Sequence, residues 1–286
     1  MKLTGRQDLL SFAPYLWKGY GCQNLGKQLW HLAPFQEQNG KPTGVPLALD
    51  EDQECYLRDL LNPILGRQEF AFQVIPQGLF ATRRKPWDVT ACPWMSQEGK
   101  VPFPPEGKNA KEWTLLQNEL KKALKGSEVN QYRRDHGLPV IDGFWMSGGG
   151  FEERARQPTA VRCVMTDNPV VKGIADAAGL NTDFIVPVQP TWPACAPGER
   201  IVFLDKPGQT LKTDNIQEWT KSLEESVELI ESLKDSLETD HSYEIGFAAC
   251  NGLSLSYTTR SRIQSKLFFW KKNNNYCNQW IALEQG

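Results

Sequence analysis

Apolar residues recur at spacings of three and four from Trp113 through Leu116 and Leu120 to Leu124, which marks one face of a helix. That face stops at Gly126-Ser127. Beyond it, Asn130, Arg133 and Arg134 fall on a second, short helix that Gly137 and Pro139 should end. Val140 to Met146 is apolar, carries Phe144 and Trp145, and reads as a buried strand that Ser147-Gly148-Gly149-Gly150 brings to a close. Upstream, Asp50 is placed to cap a helix holding Cys55, Leu57, Leu60, Leu61 and Ile64. Two strands, around Phe70–Ile75 and Leu79–Thr82, are joined by the turn residues Pro76-Gln77-Gly78. Residues 1 to 38 read as an amphipathic helical segment with Leu9, Leu10, Phe12, Leu29, Trp30 and Leu32, and the stretch from Gly40 to Gly44 as a loop. The aromatic, proline-rich stretch from Pro86 to Lys108, with Trp87, Trp94 and Phe103, is expected to drape over the core as an ordered loop.

Downstream, Ala160 to Met165 predicts a strand. A short helix follows, capped by Asp167 or Asn168, started by Pro169 and ended by Gly179. Phe184–Val188 and Ile201–Leu204 predict further strands, with a loop over Pro187–Pro197 between them. The longest helix runs from Ile216 to Leu237, with Trp219, Leu223, Val227 and Ile230 on the face expected to be covered. A last hairpin turns at Asn251-Gly252. Interleaved strands and helices give an α/β class, a mixed sheet with flanking helices. The division expected is an N-terminal helical segment over 1–45 packed on the body, one α/β domain over 46–272 and a tail over 273–286.

Charge adds one exclusion. Lys and Arg total 32 against 34 Asp and Glu, a net charge of −2, which argues against a nucleic-acid partner. The seven cysteines are scattered and form no C-x-x-C pair, which fits reduced thiols in a cytoplasmic protein. The N-terminus, with Lys2, Arg6 and Asp8, lacks the apolar stretch of a secretory leader, and no membrane segment is expected.

The chemistry-bearing residues cluster in the central stretch. Asn130 and Arg133 share a helix face, and a guanidinium can hold a phosphate or carboxylate in two-point fashion. The bare N–H groups of Ser147, Gly148, Gly149 and Gly150 could cradle the same anion. The competing role is structural: Arg133 would pair with a carboxylate such as Glu119, and the glycines would make a tight turn at the end of a strand. The basic cluster Arg83-Arg84-Lys85 offers either a solvated strand end or a second phosphate contact. Trp145 is expected in the core. His136 is expected to be structural. Only His31, His136 and His241 could serve as imidazole ligands or bases, and no two make an H-x-x-x-H pair. No G-x-S-x-G elbow or Walker lysine surrounds the triple glycine. Neither metal nor cofactor is expected, and no catalytic residue can be assigned.

The residues Val129, Asn130, Arg133, Gly137 and Pro139, followed by Trp145 and Gly148–Gly150, resemble the bacterial family described as "regulatory protein, RpfE type". The likeness runs loosely from Leu47 to Trp270 and departs from the usual pattern at Asp142-Gly143. The same stretch, from Trp113 to Gly179, is more distantly similar to archaeal-type cofactor-independent phosphoglycerate mutases of the alkaline-phosphatase-like superfamily. There a His-Pro pair stands where this chain has Ser127-Glu128. The mutase resemblance implies a fold of that type. It also implies two metals held by Asp and His, yet Asp205-Lys206 stands where the metal motif would follow. Together these imply a cytoplasmic, non-catalytic regulatory or interaction protein on a reduced mutase-like scaffold, with an unidentified protein partner or a small anionic ligand. The competing class is an enzyme or sensor acting on a phosphorylated or carboxylated metabolite through Asn130, Arg133 and the glycines.

Overall fold

The computed structural model describes residues 11–23, 26–45, 49–93, 100–153, 160–184, 199–210, 215–235, 244–248 and 254–258. Leu9, Leu10, Trp94, the Pro187–Pro197 loop, the Asn251-Gly252 turn and the 273–286 tail lie outside them. The chain is α/β and divides into two compact units, one formed by residues 1–186 and 193–222, the other by 187–192 and 223–286.

The first unit is built on strand β1 (Gln28–Gln38), in the region expected to be helical. β1 pairs antiparallel with β2 (Lys41–Gly44), β4 (Gly78–Arg83) and β5 (Gly143–Gly150), and β4 pairs with β3 (Phe70–Ile75). Because β1 is bonded along both edges and covered on both faces, Gln28, Leu29, Trp30, Leu32, Ala33 and Phe35 are all buried. A strand buried this way shows no alternation for a sequence reading to catch. The turn into β2 is Asn39-Gly40, both with positive φ (53° and 72°), a strong short hairpin signal that the expected loop at Gly40–Gly44 concealed.

One face of this sheet is covered by α2 (Glu51–Arg67) and α3 (Ala110–Leu124), whose Leu57, Leu61, Trp113, Leu116, Leu120 and Leu124 are buried. Asp50 caps α2 by accepting a hydrogen bond from the Gln53 N–H at 2.8 Å. Trp145 packs edge-on against Trp113 at 5.0 Å and donates from Nε1 to the Cys92 carbonyl, so it is a core residue as expected. Trp87 fixes its loop to the core, clasped by the buried Gln28 amide through both backbone groups. Phe103 of the same loop is 60 % exposed and does not join it.

The opposite face carries α1 (Ala13–Gly19), with Phe12, Ala13 and Leu16 packed over Leu29 and Phe80. α1 also crosses α5 (Pro169–Ala177), which lies in a βαβ unit. There β6 (Val161–Thr166) pairs in parallel with β7 (Asn181–Phe184) and β8 (Glu199–Phe203). Parallel and antiparallel pairing are thus segregated into separate sheets. β7 begins earlier than expected, and the 185–188 part of that expectation lies outside the described residues. Asn168 caps α5 through the N–H groups of Val170 and Val171, and Pro169 opens it.

Beyond β8, α6 (Lys206–Thr210) leads to α7 (Ile216–Asp235). Of the expected face, Trp219 and Ile230 are half-buried but Leu223 and Val227 are 37 % and 54 % exposed, whereas Ser222 is buried with its hydroxyl 2.9 Å from that of Thr210. In the second unit, β9 (Glu244–Ala248) and β10 (Ser254–Thr258) form the expected antiparallel pair.

The α1–α5 crossing is unusually close. A Cβ at Gly173 would collide with the Tyr15 carbonyl, and one at Gly19 with the Pro169 carbonyl. Backbone cannot yield as a side chain can. Gly173→Ala is therefore expected to lower stability by about 1–3 kcal/mol, the usual cost of overpacking, read from the urea unfolding midpoint. Gly66→Ala, in α2 where a Cβ meets nothing within 4 Å, supplies the comparison and should be stabilising by up to about 1 kcal/mol, alanine being the better helix former.

Candidate functional site

The short helix predicted after Gly126 is α4 (Glu128–Asp135), capped by the Ser127 hydroxyl. Both of its singled-out residues are buried, Asn130 at 4 % and Arg133 at 1 % exposure. The Asn130 amide donates to the Leu124 carbonyl at 2.9 Å and to the Ile141 carbonyl at 2.8 Å. Its oxygen accepts from the Ile141 N–H at 2.8 Å. One side chain therefore ties the end of α3 to the segment that leads into β5.

Arg133 Nε donates to the Pro139 carbonyl at 2.6 Å, and Nη1 to Gln53 of α2 at 2.8 Å. Gly137 takes φ of 67°, turning the chain so that Leu138 N–H reaches the Arg133 carbonyl. The motif residues Asn130, Arg133, Gly137 and Pro139 thus form a joint that closes on itself. Glu119, the carboxylate considered for Arg133, instead meets Arg67 at 2.5 Å. Burial lowers the Arg133 pKa from its ordinary value, because the charged form loses hydration.

Ser147 and the glycines do not share this site. Asn130 grips Ile141, and Gly149 lies roughly 25 Å further along an extended chain. The glycines do close the strand, but from within it: β5 runs through them, across a bulge, and ends at Gly150. His31 pairs with Ser147 and Leu29 with Gly150, so Gly148 and Gly149 together face Trp30. Gly148 has φ of 67°, the left-handed residue that such a bulge requires. A Cβ at Gly148 would strike the Phe12 ring, at Gly149 the Trp30 indole, and at Gly150 the Ser11 side chain. Where side chains would stand on these glycines the space is occupied by the protein itself; beside Gly148 and Gly149 only a small cavity of about 50 Å³ remains, walled by Ser11, Val89, Thr90, Ala91 and Pro93.

Beneath Phe12, His31 packs edge-on to Phe12 and Phe80, its ring centroid 6.0 Å and 5.5 Å from theirs. As a residue His31 keeps partial exposure, but its Nδ1 is sealed from solvent and has no hydrogen-bond partner among the described residues; the same holds for the Ser147 hydroxyl. This burial lowers the imidazole pKa to about 4. His136, by contrast, is exposed and structural in its contacts, with Nδ1 2.8 Å from the Tyr132 carbonyl. Arg83 lies over the Phe70 and Trp87 rings, both it and Lys85 are paired with Glu69, and Lys85 and Arg84 are exposed to solvent.

What opens beside Asn130 is a groove of about 500 Å³. Its helical wall is Lys121, Lys125, Gly126, Asn130 and Arg134; its other wall is Glu37, Gly40, Val140 and Asp142. Lys121 Nζ reaches Glu37 at 2.8 Å across the groove, and Asp142 accepts from the Glu37 N–H at 2.8 Å. Lys125 is exposed and has no partner among the described residues, and Arg134 spends one N–H on Gln131 at 3.1 Å. The sequence reading missed this groove, because its walls come from segments about 100 residues apart. Among the described residues no group of three or more His, Cys, Asp or Glu is placed to hold a metal ion. No helix among them is long and apolar enough to cross a membrane.

The sequence matches no protein-family model and no curated protein, so the likeness to the RpfE-type family rests on the residues quoted for it. Two solved structures are similar at low identity. The PH0037 protein from Pyrococcus horikoshii matches with 14 % identity and a TM-score of 0.46, over 82 % of this chain and 62 % of that one. A cofactor-independent phosphoglycerate mutase from Thermoplasma acidophilum DSM 1728 matches with 12 % identity and a TM-score of 0.37, over 74 % of this chain and 63 % of that one. This chain therefore spans less than two thirds of either. The likeness is a distant one of α/β fold.

Arg133→Ala should unfold more easily by about 2–3 kcal/mol, because it removes the buried guanidinium and takes the donor away from the Pro139 carbonyl and the Gln53 side-chain oxygen; denaturant titration reads this directly. His31 gives a pH signature. Its folded pKa lies below the ordinary 6.5, so its stabilisation is complete above pH 6.5 and is lost as pH falls towards 4. The full loss is about 3 kcal/mol at 1.36 kcal/mol per unit. The difference in unfolding free energy between the parent and His31→Phe should follow that window and stay flat above it.

Proposed function

We propose that the chain is a non-catalytic binding protein with a regulatory role in the cytoplasm. Its ligand is a small phosphorylated or carboxylated molecule held in the groove between the α3–α4 joint and the β1–β2 hairpin. The observation that carries this reading is the pair Lys125 and Arg134. Both are exposed on the groove's helical wall, and the Asn130 clamp fixes the joint from which they project. The groove's size suits a small metabolite. A binding role is supported over a catalytic one by the groove's inventory. It presents amine and guanidinium groups, its Asn130 amide is spent on Leu124 and Ile141, and its carboxylates are already engaged by Lys121 and by the Glu37 N–H. It offers no hydroxyl or thiol nucleophile with a base beside it. The regulatory part of the reading draws on the likeness to the RpfE-type family at Val129–Pro139.

Thermal unfolding in the presence of inorganic phosphate, a sugar phosphate and a dicarboxylate tests the proposal. A ligand of the folded state alone raises stability by about 2.7 kcal/mol at a hundred times its dissociation constant. At least one of the three should raise the midpoint in a concentration-dependent way. The double variant Lys125→Ala/Arg134→Ala should lose the rise while keeping the parent's unliganded midpoint, because both side chains stand at the surface. No rise with any of the three, or an equal rise in the variant, would reject the groove.

A further inference from the structure

The side of α4 that faces α2 carries a different chemistry. Tyr132 and His136, four residues apart, stack with centroids 4.0 Å apart and planes 18° from parallel. Tyr56 of α2 joins them, its ring 6.2 Å from that of Tyr132 and tilted by 54°. His136 is exposed, and both tyrosines are partly so. The Tyr132 hydroxyl donates to Asp50 at 2.5 Å, which orients the ring, and the Tyr132 carbonyl holds the imidazole at 2.8 Å. Tyr132 and His136 cover one face of each other, so the aromatic platform left to solvent is the outer part of the exposed His136 and of the partly exposed Tyr132 and Tyr56.

Carboxylates surround that platform. Asp52, Tyr56 and Asp59 fall at spacings of four and three, so they share one stripe of α2. Glu51 and Asp52 are exposed and have no ion-pair partner among the described residues. Asp50 and Asp52 are the charges that act on Tyr132. The neighbouring cations point elsewhere or are spent. Arg133 is buried on Pro139 and Gln53, Arg58 is bound to Glu54, and Arg134 lines the groove. An anionic surface, whether lipid or nucleic acid, would be repelled here.

We propose that this α2–α4 face is a docking site for an arginine-bearing segment of a partner protein. A guanidinium is flat and weakly hydrated, so it can lie on an aromatic ring while its edge N–H groups reach a carboxylate two at a time. A lysine ammonium is a compact, strongly hydrated point charge and exploits only half of that arrangement. The platform supplies the π faces through Tyr56, Tyr132 and His136, and the acceptors through Asp52 and its acidic neighbours.

The test is fluorescence anisotropy of the full chain against three labelled peptides of one backbone, carrying arginine, lysine or glutamate at the same four positions. The arginine peptide should bind most tightly and the glutamate peptide not at all. Raising the salt should weaken the arginine complex. Tyr56→Ala and Asp52→Asn should each reduce its affinity at least tenfold while retaining the parent's circular-dichroism spectrum. If Tyr56→Ala alone loses structure, Asp52→Asn, a surface change of equal size, carries the test. Equal binding of arginine and glutamate peptides, or undiminished binding by the structured variants, would overturn the proposal. So would concentration-dependent self-association lost in Tyr56→Ala without peptide binding, which would make the occupant a second copy of this chain.

Discussion

The first unit depends on how closely large rings approach Gly148, Gly149 and Gly150. Trp30 and Phe12 occupy the volume where side chains would stand on Gly149 and Gly148, and Ser11 does so at Gly150. The bulge that presents these glycines to β1 needs the positive φ of Gly148, a conformation that costs glycine little. Phe12 in turn opens α1, which spans from the antiparallel sheet to α5 through the contact at Gly19 and Gly173. The antiparallel sheet and the βαβ unit are thereby joined through backbone approaches that any Cβ would block. The same packing seals the His31 Nδ1 and the Ser147 hydroxyl from water.

A second constraint fixes where recognition can occur. Asn130 and Arg133 spend polar groups on backbone carbonyls of Leu124, Ile141 and Pro139. These contacts hold the α3–α4 corner against β5 and α2. With its inner side committed to structure, α4 presents two outward edges of opposite character. Arg134 stands beside Lys125 on one, and Tyr132 and His136 stand beside Asp50 and Asp52 on the other. A helix of eight residues can serve both because its core contacts, and not its length, keep it in place.

Much of this is legible in the amino-acid sequence. The Asp50 and Asn168 caps, the α3 stripe, the Pro76-Gln77-Gly78 turn and the core position of Trp145 each rest on a local rule with a local cause. β1 is not legible, because pairing on both edges and burial on both faces erase the alternation that marks a half-covered strand. The α7 face is legible at Trp219 and Ile230 but not at Leu223 and Val227, because an apolar stripe shows only that a surface could be covered. The hydroxyls of Ser222 and Thr210 satisfy each other and let the serine edge turn inward. At the site, the sequence identifies the residues that matter but not their direction. Asparagine and arginine near a glycine run suit an anion and suit stranded carbonyls equally well. The groove itself is invisible there, since Glu37, Lys125, Arg134 and Asp142 are ordinary surface charges until the fold gathers them.

The triple glycine is a packing device, and the small anion we propose as ligand would be met at the α3–α4 groove instead. An amide-resolved NMR titration of the 15N-labelled chain with inorganic phosphate tests it most directly. Saturable shift changes are expected at Lys125, Gly126 and Arg134, with Gly148, Gly149 and Gly150 unmoved. Shifts that saturate at the three glycines while the groove amides stay still would contradict it.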